Sequence, residues 1–159
     1  MPAMTCTAKV RIARPEDRQS LIEIQRRASL AVQTGEVLRR LIEESEHIDL
    51  DNSLLAMGQV VLAEIGAIPV GFASFIVENG SVELDGMFVD PSHWRLGIGR
   101  MILNAVEHEV MARNFARIRV VSSLNAVVFY QSAGFTVVGV ERTPLGLLAP
   151  VLTKMIASC

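Results

Sequence analysis

Residues 82–100 read VELDGMFVDPSHWRLGIGR, and this stretch decides the fold. Val82-Glu83-Leu84-Asp85 alternates apolar and acidic, the period of a strand with one buried face and one face carrying carboxylates. Gly86 interrupts the alternation, where a bulge or a close backbone approach is expected. Asp90-Pro91 ends the strand. Gly97-Ile98-Gly99 then sits ahead of a helix whose apolar face is Ile102, Leu103, Val106 and Val110. Glycines at a strand-to-helix junction let backbone approach an anion, and the free N–H groups of the first helical turn bind phosphate. A plain turn is the alternative reading of two glycines alone. A phosphate loop of the nucleotide-hydrolase kind needs Gly-Lys-Ser/Thr, but Arg100-Met101 follows; a dinucleotide fingerprint needs a third glycine where Ile102 stands.

Working outward, Glu78-Asn79-Gly80-Ser81 carries the Asn-Gly pair favoured in hairpin turns, joining strand-like Val70–Val77 to Val82–Val89. Gln59–Glu64 reads as a strand before them. Toward the N-terminus, Val10–Ala13 is a short strand and Pro15-Glu16-Asp17 a helix start, followed by Leu21, Ile24, Ala28 and Val32 at helical spacing. A second amphipathic stretch covers residues 36–46, with Val37, Leu41 and Ile42 inward. Beyond the central helix, Arg117–Ser122 is a strand of alternating Arg and apolar residues, and Ser123–Ala133 a short helix closed by Gly134. Phe135–Val140 and Val151–Ile156 are two more strands flanking a turn with Pro144 and Gly146. The order is a strand, two helices, three strands, then helix, strand, helix and two strands, which is a mixed α/β sheet rather than a regularly alternating parallel one.

The chain has 159 residues, 50% hydrophobic and 20% charged, with a net charge of −2. That suits one domain over residues 1–159 with a core needing no disulfide or metal. It excludes a disordered chain and a generic nucleic-acid binder, which would show a basic excess. Cys6 and Cys159 belong to no CxxC or Cys/His cluster, and His47, His93 and His108 have no metal spacing, so no metal is expected. The N-terminus lacks the features of a signal peptide. The longest uncharged run, Ile65–Val77, contains Pro69 and two glycines and is too short for a membrane span. A cytoplasmic protein without membrane contact is the expectation. Charge is unevenly spread: 36–51 is net −4 and 95–119 net +3, and 13 of the 15 basic residues are Arg.

Two segments carry a resemblance. Phe88-Val89-Asp90-Pro91 followed by Arg95-Leu96-Gly97-Ile98-Gly99-Arg100 resembles the acyl-CoA loop of the GNAT superfamily of N-acetyltransferases, Q/R-x-x-G-x-G/A. Ser123-Leu124-Asn125-Ala126-Val127-Val128-Phe129-Tyr130-Gln131-Ser132-Ala133-Gly134-Phe135 resembles the family's N/S-x-x-A-x-x-F-Y-x-x-x-G-F segment. Both lie in the family's order, within a matching run of elements over about residues 10–156. Read strictly, the Q/R position is Trp94, with Arg95 one place late, and Leu96 stands where a basic residue is frequent.

The resemblance implies a mixed, mostly antiparallel sheet of six to seven strands flanked by helices, with a splayed central strand pair. It implies acetyl-CoA as cosubstrate, and direct transfer to a primary amine, on a small molecule or at a protein N-terminus or lysine, through a tetrahedral intermediate. Met87, Phe88 and Val89 would pair with the pantetheine arm as another strand does. Arg95, Leu96, Gly97, Ile98, Gly99 and Arg100 would hold the pyrophosphate, and Asn125, or Ser123, would reach the pantetheine. Tyr130 matches the family's thiol acid. Glu83 is the first candidate base and Asp85, on the same face, the second; solvated carboxylates are the plain alternative. The acidic stretch 36–51 would favour a cationic acceptor and disfavours tRNA, with a solvated helix face as the plain alternative. Thr143–Pro150 offers an apolar wall or a dimer contact, and family habit points to a homodimer. A catalytically silent acyl-CoA-binding or protein-interaction module on the same fold is the alternative function.

Overall fold

The computed structural model describes residues 7–32, 50–143 and 146–156. The expected second helix over 36–46, most of the acidic stretch 36–51, both cysteines, Pro144 and the side chain of Val32 lie outside the described residues. Seven strands form one sheet: β1 (Lys9–Ile12), β2 (Val60–Ile65), β3 (Ile68–Glu78), β4 (Ser81–Val89), β5 (Arg117–Val121), β6 (Thr136–Arg142) and β7 (Leu148–Met155), in the order β1-β2-β3-β4-β5-β7-β6. The described helices are α1 (Arg18–Val32), α2 (Asn52–Ala56), α3 (Ile98–Ala112) and α4 (Val127–Ser132). The β4–β5 ladder is parallel, while β1–β2, β2–β3, β5–β7 and β6–β7 are antiparallel. The expected mixed, mostly antiparallel sheet flanked by helices is the architecture found. Helix α2 was not expected; Asp51 caps it by accepting from the Ser53 amide at 2.8 Å.

The chain divides into two compact units, Met1–Ser74 with Met87–Ala105, and Phe75–Gly86 with Val106–Cys159. In the first unit, the buried face of α1 is Leu21, Ile22, Ile24 and Ala28, of which Leu21, Ile24 and Ala28 keep the helical spacing read from sequence. Pro15–Asp17 forms a single 3-10 turn ahead of it. There Asp17 accepts from the Arg14 amide at 2.8 Å and from Arg11 at 2.8 and 3.0 Å. Arg11 also reaches Glu64 on β2 at 3.2 Å, so the outer strand β1 is tied by charge on both sides. The Arg11 hydrogen bond holds the Asp17 carboxyl below the usual carboxylate range. Val60–Ala63 of β2 and Val70–Ser74 of β3 are buried, with Leu62 and Phe72 at 0% and 1% exposure.

In the second unit, Ile118 and Val120 of β5 and Val106 and Val110 of α3 are buried, as is Leu152 of β7. Arg113 lies over the Phe75 ring, 5.2 Å from its centroid, and pairs with Glu109 at 2.9 Å. Lys154 of β7 pairs with Glu107 of α3. Gly134 ends α4 with a φ of 98°, the left-handed closure expected of it, and a side chain there would press on Lys154 at 3.1 Å. Strand β6 forms the outer edge, with all seven residues exposed.

The hairpin between β3 and β4 turns as read, through Asn79 (φ 51°) and Gly80 (φ 74°). Paired with β5, β4 matches Val82 to Ile118, Glu83 to Arg119 and Leu84 to Val120, and this ladder ends there, short of Gly86. The strict alternation of burial in β4 also stops at Gly86.

Candidate active site

The loop of the first unit is built between two firm anchors. At its start the Asp90 amide donates to the Val70 carbonyl at 2.8 Å. The Asp90 side chain accepts from the Ser92 amide at 3.1 Å and hydroxyl at 2.8 Å, and from Arg27 of α1 at 2.6 Å. Burial pulls this carboxyl up, but those donors outweigh it and hold it low. At the far end, Ile98 is buried against Gly71: a Cβ on Gly71 would lie 2.9 Å from Ile102 Cδ1, 3.0 Å from the Phe88 carbonyl and 3.4 Å from Ile98 Cγ2. Only glycine lets β3 approach the start of α3 and the end of β4 this closely. The Phe88 ring packs on Phe72 at 5.6 Å between centroids.

Between these anchors the indole of Trp94 donates to the Val89 carbonyl at 2.7 Å. Arg95 follows with a φ of 65° and Gly97 with 80°. Left-handed backbone costs a non-glycine residue about 1–2 kcal/mol, whereas one neutral hydrogen bond contributes about 0.5–1.5 kcal/mol. The two are comparable, so the Trp94 bond is of the size needed to offset the backbone cost at Arg95. Nothing lies within 4 Å of where a Gly97 Cβ would stand. The internal bonding of α3 begins with Met101 donating to Gly97 at 3.1 Å. The amides of Ile98 and Gly99, ahead of that bond, open the first turn of the helix, which is the arrangement an anion fits. Arg95, Leu96 and Arg100 are exposed around it. Met87, Phe88 and Val89 are half-buried, and the Val89 carbonyl already accepts from Trp94.

The second unit holds the candidate proton-transfer residues. Glu83 does not stand alone: Arg119, its partner in the β4–β5 register, donates to it at 2.8 Å and to Glu141 of β6 at 2.9 Å. The hydrogen bond that Arg119 donates to Glu141 leads the causes that hold it more firmly protonated than an ordinary arginine. Asp85 is exposed. Within the positive stretch 95–119, Arg113 and Arg119 are paired inside this unit. The signal was the alternation of Arg in β5 opposite that of Glu83 and Asp85 in β4.

Tyr130 is 5% exposed, its ring edge-on to Phe129 at 5.2 Å and Phe135 at 5.5 Å. Phe129 beside it is the less buried of the two rings. Burial alone pushes the Tyr130 phenol well above its ordinary value, so it keeps its proton throughout the neutral range. Ser123 and Asn125 are both exposed, ahead of α4. Among the described residues, no group of three His, Cys, Asp or Glu could hold a metal ion, and no helix is long and apolar enough to cross a membrane.

The sheet order, the glycine loop opening α3 and the Phe129-Tyr130 turn of α4 together define an acyltransferase-like α/β chain. The family model described as an acetyltransferase (GNAT) domain matches residues 38–155, and the chain belongs to that family. No curated protein sequence matches it. Among solved structures, it is similar to the PaiA N-acetyltransferase of Thermoplasma acidophilum in complex with coenzyme A. That match has a TM-score of 0.74 and 20% identity, and covers 94% of this chain and 99% of the other. A GCN5-related N-acetyltransferase of Rhodopseudomonas palustris has a TM-score of 0.76 and 23% identity, over 94% and 96% of the two chains. The ribosomal-protein-S18-alanine N-acetyltransferase of Escherichia coli has a TM-score of 0.71 and 19% identity, over 96% of each chain. At these identities the likeness concerns the fold.

Proposed function

We propose that the protein is an acetyl-CoA-dependent N-acetyltransferase that acylates a primary amine, on a small molecule or at a protein N-terminus or lysine. The observation that carries this reading is the loop ahead of α3. A left-handed Gly97 with open space around it opens directly into the first turn of α3, in a chain of the acetyltransferase family. The similar Thermoplasma acidophilum protein was solved with coenzyme A, which supports the same ligand here.

Ile98, Gly99 and Arg100 would bind the diphosphate through backbone amides, with Arg95 and Arg100 adding charge; Met87 and Phe88 would pair with the pantetheine, and Asn125 or Ser123 would hold it further along. Bound acetyl-CoA supplies an activated acetyl group as a thioester. Tyr130 holds a proton on its phenolic oxygen, which suits a donor toward a leaving sulfur. Glu83, or Asp85 beside it, accepts a proton from the acceptor ammonium. Arg119 competes for Glu83, and that grip is the observation favouring the second reading, a catalytically silent CoA-binding module.

Coenzyme A release, measured with acetyl-CoA over polyamines, aminoglycosides, amino acids and peptides, tests the proposal. Turnover with at least one amine supports it; tight coenzyme A binding with no turnover on any acceptor establishes the silent module. For an active acceptor, Glu83→Gln shifts the rate profile toward higher pH, because more of the amine must then arrive already deprotonated. An unmoved profile removes Glu83 as base.

A further inference from the structure

Several features meet at Trp94. Its indole N–H donates to the Val89 carbonyl at 2.7 Å, joining residues five positions apart. The next residue, Arg95, holds a left-handed backbone that only glycine adopts freely, and Leu96 beyond it is 64% exposed, so packing does not impose this path. Among the described residues, the Trp94 bond is the one side-chain hydrogen bond made by residues 94–97. The flanking anchors, Asp90 on Val70 and Ile98 against Gly71, fix the ends of the loop but not its middle.

We infer that Trp94 is a positioning residue for the phosphate-binding loop. By closing its indole on the end of β4, it holds Arg95 left-handed and keeps the loop in the path that leaves the first amides of α3 to a diphosphate. Without that bond, Arg95 relaxes to an ordinary backbone region and the loop enters α3 along another path. This rests on the loop reading given under Proposed function. The side chain acts through the backbone of its neighbours, so its loss weakens cofactor binding and leaves proton transfer in the second unit untouched.

Trp94 is the only tryptophan in the chain, so biosynthetic replacement of tryptophan by its benzothiophene isostere exchanges one N–H for sulfur at this position alone. Calorimetric titration with coenzyme A should show about tenfold weaker affinity for this isostere and for Trp94→Phe, a loss of about 1.4 kcal/mol. With an active acceptor, KM for acetyl-CoA rises by a similar factor while kcat holds. Arg95→Gly, which removes the backbone strain, should make the added loss from Trp94→Phe clearly smaller than in the parent chain; purely additive losses would count against positioning through Arg95. The isostere barely alters shape, so it remains informative if Trp94→Phe folds poorly. Parent protein that binds no coenzyme A overturns the loop reading and this inference together. Parent binding with equal affinity in the isostere overturns the inference alone.

Discussion

The two units hold their function-bearing residues by different means. In the first, the close steric fit of β3 on the start of α3 through Gly71 combines with the hydrogen bonds of Asp90 and Trp94 that define the loop. In the second, charge and aromatic contacts do the positioning. Arg119 spans Glu83 and Glu141 across partly exposed strands, and Tyr130 is gripped between two rings. Steric fit fails abruptly when a methyl group is added, whereas exposed ion pairs weaken gradually. A difference in sensitivity between the units is therefore expected.

The largest effect belongs to Tyr130→Phe. Deleting the hydroxyl while keeping the ring should lower kcat about a hundredfold, at the low end of what a positioned proton donor contributes, with coenzyme A affinity little changed; an unaltered kcat in steady-state assays removes Tyr130 as acid. Next comes Gly71→Ala, whose new methyl meets a backbone carbonyl that cannot move aside. A loss of about 1–3 kcal/mol is expected, read as a lowered midpoint in thermal unfolding. An unchanged midpoint would show that the first unit gives more readily than its contacts imply.

The pH responses of the units should be opposite. Asp17 and Asp90 in the first are held below the ordinary carboxylate range, so the stability they contribute is present above about pH 4 and lost as pH falls below it. Tyr130 in the second is raised, so its contribution is present below about pH 10, where an unfolded tyrosine ionises, and lost above it. Thermal melts across pH should show Asp17→Asn flattening the acid limb and Tyr130→Phe the alkaline limb. The chain has one tyrosine, so phenolate absorbance follows that group directly. The smallest effect is that of Arg119→Gln. Its pairs are 38–50% exposed, and such bridges contribute about 0–1 kcal/mol each. A larger loss in chemical denaturation would mean the second unit depends on this bridge far more than its exposure suggests.

What could be read from sequence divides along the same line. Strand and helix spacing, the Asn79-Gly80 turn and the Gly134 closure are local consequences of side-chain period and backbone freedom, and were legible. The two motifs that led to the family were legible as well. The Arg119 bridge and the Trp94 tether were not, because each joins residues through the register of folded strands or the path of a loop, which no local pattern encodes. Which of the adjacent rings Phe129 and Tyr130 is covered was not legible for a related reason: either can face the core, and packing against Phe135 decides.

The sheet order has a consequence for biosynthesis. Strand β7 is made after β5 and β6 yet lies between them, so the second unit cannot complete its hydrogen bonding until Met155 has left the ribosome. Until then β5 and β6 each present an open edge, and β6 carries exposed Val137, Val138 and Val140. A nascent chain paused before Leu148 would be a natural client for chaperones that shield unpaired strands, while the first unit, whose strands are all made by then, can already have formed.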